Sequence, residues 1–323
     1  MHPGVLFFAL AAFAIPLATH SQPVAKLPRI GVLWQTAAPP PVHPFMTALL
    51  QGLKGRGWEN GKNVVIEHRY AGNNADRLAV FAAELVGLKV DVITTAGDLS
   101  THAAQRATTT IPIVTSVGFP VESGFVKSLA RPDGNITGVA VLADELSMKR
   151  LALLKELLPR LSRVAVLWDP VTHERQPKQV EAAARTLGLQ VEALRAQASD
   201  ELAPAFEAAA KARAEALLVL VSPMFSSNRP AFASLAARHR IPTMYFNKTF
   251  AESGGLISYG PTPEEQWTLI AGQIDKILKG SQPADLPFQQ PTKFQLVINL
   301  KTAKALGLTI PPALLQRVDH AIE

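Results

Sequence analysis

The side chains that could do chemistry in this chain are scattered rather than clustered. Its 8 histidines (His2, His20, His43, His68, His102, His173, His239 and His320) show none of the spacings that put two imidazoles on one metal ion. There is no cysteine to serve as nucleophile, thiolate ligand or disulfide partner. No G-x-G-x-x-G follows a strand-like run, and the phosphate-loop, nucleophile-elbow and H-E-x-x-H patterns are missing too. The expectation is a binding protein with no catalytic residues, no metal and no cofactor.

What the chain offers instead is a set of polar, glycine-containing or aromatic segments, each directly after a short apolar run. "RIGVLW" ends in Trp34 and leads into "QTAAPPPVHP", which carries Gln35 and His43. "VDVITTAG" leads into Gly97, Asp98, Ser100 and Thr101, and "IPIVTSV" into "GFPVESG" with Phe119. In the second half, "RVAVLW" leads into "DPVTHE" with Asp169 and Thr172, "ALLVLVS" into Met224 and Phe225, and "IPTMYFN" supplies Tyr245 and Asn247. Open parallel sheets bind ligands beyond the carboxyl ends of their strands, where helix N-termini add unpaired N–H groups. These fourteen residues are the candidate ligand contacts. Structural readings stand beside them: Asp98 or Ser100 as an N-cap, Asp169 as an Asx-turn residue, and Met224, Phe225 and both strand-ending tryptophans as packing.

The elements that must position these loops follow from the spacing. After Pro28 the sequence alternates short β-rich runs with amphipathic helical runs such as "DRLAVFAAELVGLK", the rhythm of βαβ units around a parallel sheet covered on both faces. "RIGVLW" at 29–34 returns as "RVAVLW" at 163–168, and the rhythm repeats behind it. The expected fold class is α/β, with two similar Rossmann-like lobes. The first is placed at 29–140 plus 255–280, the second at 141–254 plus 281–323. Crossings are expected near the helix that carries Leu151, Leu154, Leu157 and Leu158, and near "SGGLISYGPTP".

Composition narrows the class. A hydrophobic fraction of 48% with 18% charged residues suits a globular chain, and the net charge of +6 is dispersed, so no nucleic-acid partner is expected. Val5 to Ala18 form an uncharged apolar stretch, shorter than the about 20 residues that span a bilayer. It suits the apolar core of a secretory signal, placed at residues 1–22, and implies export to the periplasm.

Five stretches carry a specific likeness: "SLARPDGNITGV", "AVLWDP", "AARHRIPTMYF", "ESGGLISYGP" and "IDKILKGSQPADLPFQQPTKFQLVINLKTAKALGLTIPP". Together they resemble the substrate-binding proteins of ABC transporters described as tryptophan/tyrosine or aromatic amino-acid binding components. The resemblance runs from about Arg29 to the C-terminus. It implies a type I periplasmic-binding-protein fold, in which a three-strand hinge joins the lobes and a small ligand is handed to a membrane permease; a monomer is expected. It also implies that Gly97 to Thr101 form an anion-binding turn and that Asp169 and Pro170 match the family's Asn/Asp-Pro turn. This chain departs from the family where Phe119-Pro120 replaces Asp-Pro and Asp98-Leu99 replaces a Thr/Ser-Pro pair. A ligand sensor of the same fold and an enzyme on a two-lobed scaffold remain as alternatives.

Overall fold

The computed structural model describes residues 26–37, 44–172 and 174–323. The apolar N-terminal segment at 1–22 and the candidate His43 lie outside the described residues. The first lobe is built on strands β1 (Arg29–Trp34), β2 (Val65–Tyr70), β3 (Val92–Ala96), β4 (Ile113–Val117) and β5 (Ile136–Ala140). All are parallel, in the order β2-β1-β3-β4-β5. Helices α1 (Pro44–Lys54), α2 (Ala75–Gly87) and α3 (Asp98–Ala107) connect the first four strands.

The chain then enters the second lobe through α4 (Ala143–Leu157), β6 (Arg163–Trp168), α5 (Arg175–Thr186), β7 (Gln190–Arg195), α6 (Leu202–Lys211) and β8 (Ala216–Val219). It continues through α7 (Pro223–Ser227), α8 (Arg229–His239), β9 (Thr243–Tyr245), α9 (Lys248–Glu252) and β10 (Ile257–Pro261). After α10 (Pro263–Leu278) come β11 (Phe294–Asn299), α11 (Leu300–Leu306), α12 (Pro312–Leu315) and β12 (His320–Ile322). The second sheet runs β12-β11-β10-β9-β8-β6-β7, with β11 antiparallel to β10 and the other pairs parallel.

The repeated hexapeptide is the strand next to one edge of each sheet, β1 between β2 and β3 and β6 between β7 and β8, and alternation along it explains its composition. Ile30, Val32 and Trp34 point to one side, against Leu49 and Leu53 of α1 and Ile270 and Ile274 of α10. Leu33 points to the other side, against Leu78, Ala82 and Leu85 of α2. In β6, Val164 and Val166 meet Leu151, Leu154 and Val180, whereas Ala165 and Leu167 meet Phe206 and Phe232. Both faces are covered, so these strands read as continuous apolar runs.

Helix α10 starts sharply after the second sheet: Thr262 caps it by accepting from the Glu265 N–H, and Pro263 takes the first turn, where no N–H is needed. It returns to the first lobe and lies close against α1. A Cβ on Gly52 would stand 2.8 Å from the Ala271 Cβ, so only glycine lets the two helices approach this far.

Three segments therefore cross between lobes, at 141–142, 262 and 290–293. Two expected boundaries move. Residues 257–261 were expected with the first lobe, but β10 pairs with β9 and β11 in the second sheet. Residues 281–289 were expected with the second lobe, yet Gln289 pairs beside Val139 of β5 and the Phe288 N–H donates to the Leu129 carbonyl. Both shifts have one cause: a segment pairs with whichever sheet offers it free edge groups, which local patterning does not reveal.

Candidate functional site: the cleft between the lobes

The carboxyl ends of β1, β3 and β4 face those of β6, β8, β9 and β10 across a cavity of about 150 Å³. At about 10–15 Å³ per water on this measure, that is room for about ten waters, or a ligand of similarly few heavy atoms. The lobes touch around it. Gly97 of the first lobe lies against Pro223 of the second. Arg175 of α5 bonds Glu122 of the loop after β4 at 3.1 Å, and Lys248 of α9 bonds Glu264 of α10 at 2.9 Å.

One wall is aromatic. Trp34 and Trp267 pack with ring centroids 5.1 Å apart, Phe45 stacks on Trp267 at 6.2 Å, and Phe119 and Phe246 complete the apolar lining. Trp34 is held from behind: its Nε1 donates to His68 Nδ1 at 3.4 Å, and Tyr70 stacks on its ring. Burial lowers the His68 pKa, so this imidazole stays neutral and able to accept.

Two charged side chains stand among the described residues that line the cavity, Asp98 and Arg150. Asp98 opens α3 on the first lobe, directly after Gly97, and accepts from Ser123 Oγ at 2.8 Å. Arg150 comes from α4 on the second lobe and is 0% exposed. Burial pulls its pKa down to about 9, which leaves it cationic at neutral pH.

Seven of the fourteen sequence candidates line this cavity: Trp34, Gln35, Gly97, Asp98, Phe119, Thr172 and Asn247. Six others do not. Ser100 Oγ donates back to the Ala96 and Gly97 carbonyls, and Thr101 Oγ1 sits between Thr95 and Thr115, tying α3 to its sheet. Asp98 and Ser100 lie about 200° apart around a helix of 3.6 residues per turn, so only one of them can face the cleft. Neither is the N-cap; Gly97 is.

Asp169 is buried behind the cleft, accepting from the Val171 N–H at 2.9 Å and from Ser222 Oγ at 2.6 Å. That is the Asx-turn role, and burial raises its carboxyl pKa despite these donors. Met224 and Phe225 give their N–H groups to the Ser222 cap, and their side chains turn into the lobe core. Tyr245 is 0% exposed and stacks on Phe250 at 4.7 Å, again as core. Of the two strand-ending tryptophans, Trp34 lines the cavity while Trp168 packs against its own lobe.

The lining also includes residues that sequence reasoning passed over: Trp267, Gln266, Ser116, Arg150, Gln176 and Ser222. Gln266 Nε2 donates to Ser116 Oγ, binding α10 to β4. Arg150 had a signal. It shares a buried helical face with Leu146, Leu153 and Leu157, where a cation is out of place without a partner.

Comparison with known proteins agrees with this geometry. The family model described as "ABC transporter substrate binding protein" matches residues 39–322. A tyrosine-binding protein of Clostridioides difficile is 28% identical over 288 residues, covering 88% of this chain and 82% of that one. A conserved domain protein of Vibrio cholerae superposes with a TM-score of 0.86 at 27% identity, covering 92% of this chain and 100% of that one. An ABC domain of Streptococcus pneumoniae in complex with L-Trp superposes with a TM-score of 0.85 at 24% identity and the same coverage, which shows the shared fold. Two lobes of mainly parallel α/β structure around one cleft are the type I periplasmic-binding-protein architecture. By its sequence and its fold, the chain belongs to the ABC transporter substrate-binding protein family, whose members work outside the cytoplasm.

Proposed function

We propose that this protein captures an aromatic α-amino acid, tryptophan or tyrosine, between its lobes and presents it in the closed state to an importer's permease. The observation that carries the reading is the pairing of an aromatic wall, Trp34, Trp267 and Phe119, with the Asp98 carboxylate in one small cavity. Burying one aromatic ring is worth about 3 kcal/mol, and a hydrogen bond to a charged group about 1.5–3 kcal/mol. Ring burial then supplies affinity, while Asp98 selects an ammonium. Gln35 and Gly97 from one lobe, and Thr172 and Asn247 from the other, supply the remaining polar contacts.

The names of the relatives support this ligand class: one is a tyrosine-binding protein, another is solved with L-Trp. Capture works by closure, because a ligand that touches both lobes favours the closed state tenfold for each 1.4 kcal/mol of differential affinity. The protein acts as a monomer in the periplasm, exported by its apolar N-terminal segment, as a binding protein rather than an enzyme and without a nucleic-acid partner.

A thermal-shift panel tests the ligand class. At about 100 times the dissociation constant a ligand adds about 2.7 kcal/mol. Tryptophan or tyrosine should then raise Tm by about 5 °C or more. A shift with sugars or nucleosides, and none with aromatic amino acids, would overturn the reading.

A further inference from the structure

Arg150 is the one fully buried cation in the cleft lining among the described residues. Its Nε donates to the Tyr259 carbonyl at 2.6 Å, Nη1 to Ser147 Oγ at 3.4 Å, and Nη2 to the Phe246 carbonyl at 3.5 Å. A guanidinium carries five N–H donors, so two are uncommitted. All three partners are neutral oxygens, and no carboxylate is among the groups that act on its charge. Removing an ion from water costs several kcal/mol, which three hydrogen bonds from a charged donor, at about 1.5–3 kcal/mol each, can offset without supplying a counter-charge. Bracing the ends of β9 and β10 accounts for the shape of this side chain but not for its charge.

The position of the charge completes the argument. Arg150 stands on the second lobe and Asp98 on the first, and both line the same cavity. No water-sized sphere reaches the guanidinium, so its field acts on the cavity with little screening.

We infer that Arg150 is the specificity-determining residue that makes the cleft select ligands bearing a carboxylate, and that the two charges read a zwitterion from opposite lobes. This rests on the aromatic amino-acid reading above. The ammonium goes to Asp98 and the carboxylate to the floor over Arg150. A ligand missing either group engages only one lobe's charge, and loses the closure that the two charges together favour.

The test is calorimetric titration of the whole chain with three probes, L-tryptophan, tryptamine and indole-3-propionate, on the wild type, Arg150→Gln and Arg150→Lys. The wild type is expected to bind tryptophan at least about 30-fold more tightly than tryptamine, roughly 2 kcal/mol at 1.4 kcal/mol per tenfold. Arg150→Gln should cut that ratio at least tenfold, and Arg150→Lys should restore part of it. If Arg150→Gln weakens tryptophan and tryptamine equally, Arg150 only braces the strands and the inference falls. It falls too if the wild type does not discriminate between them, while the aromatic reading stands. A wild type that binds none of the three overturns the aromatic reading and this inference with it. Should Arg150→Gln not fold, the wild-type ratio and its partial retention in Arg150→Lys still decide.

Discussion

Gly97 and Pro223 close the cleft by direct contact. A Cβ on Gly97 would stand 2.7 Å from Pro223 Cγ and 3.2 Å from Gln35 Oε1. Gly97 also has φ 87° and ψ 159°, a region essentially reserved for glycine. Gly97→Ala therefore carries about 1–3 kcal/mol of strain and wedges the lobes apart. The expected outcome is ligand affinity at least tenfold weaker, with small-angle scattering showing a larger radius of gyration in the presence of ligand. Unchanged affinity in a folded variant would mean that the lobes do not meet here when ligand binds.

The Arg175–Glu122 pair should matter less. It spans the lobes, but both side chains are exposed by more than a third, and Arg175 also bonds Asp144 at 2.9 Å. Exposed pairs are worth about 0.2–1 kcal/mol. Glu122→Gln should weaken ligand binding no more than about fivefold. The deficit should shrink as salt rises toward 1 M, where the screening length is about 3 Å. Titrations at low and high salt read this directly, and a salt-independent loss would point to a different role for the loop.

The ligand ammonium is assigned to Asp98. Asp98→Asn keeps an oxygen for Ser123 and costs α3 about 0.3–1 kcal/mol of dipole stabilisation. It should weaken tryptophan binding by about 10–100-fold, the worth of a hydrogen bond to a charge. Binding of indole-3-propionate, which lacks the ammonium, should change by less than about threefold on the same basis. Equal losses for both ligands would move the ammonium site elsewhere.

Acid should loosen the aromatic wall. Burial lowers the His68 pKa below its unfolded value of 6.5, opposed by Glu67. Below about pH 6.5 the unfolded chain then holds more protons at this site than the folded one, so stability falls as pH drops through the folded pKa. Protonated His68 also cannot accept from Trp34 Nε1. Melting curves from pH 7.5 to 5 should show the wild type losing more stability than His68→Gln. Parallel curves would remove His68 from this role.

Much of the fold was legible because alternation along a doubly covered strand leaves a mark. Ile30, Val32 and Trp34 face α1 and α10, Leu33 faces α2, and the same arrangement governs Val164, Ala165, Val166 and Leu167. The loops after those strands were legible as cleft-facing, but their individual side chains were not. Helix rotation sends Asp98 into the cavity and Ser100 and Thr101 into the sheet. At β8 the Ser222 cap faces the cleft while Met224 and Phe225 turn inward. Residues 255–280 were expected with the first lobe, but Trp267 escaped notice because the sequence does not show which face of α10 meets Trp34 at the cleft. Arg150 was hidden in a leucine stripe, where its being charged was itself the signal.

The measurement that bears most directly on the central claim is calorimetric titration of the purified protein with L-tryptophan and L-tyrosine at two temperatures. One-to-one binding of at least one of them is expected, with a negative heat-capacity change from burying the ring between the lobes. Absence of binding by both, with another solute class bound at one-to-one stoichiometry, would contradict it.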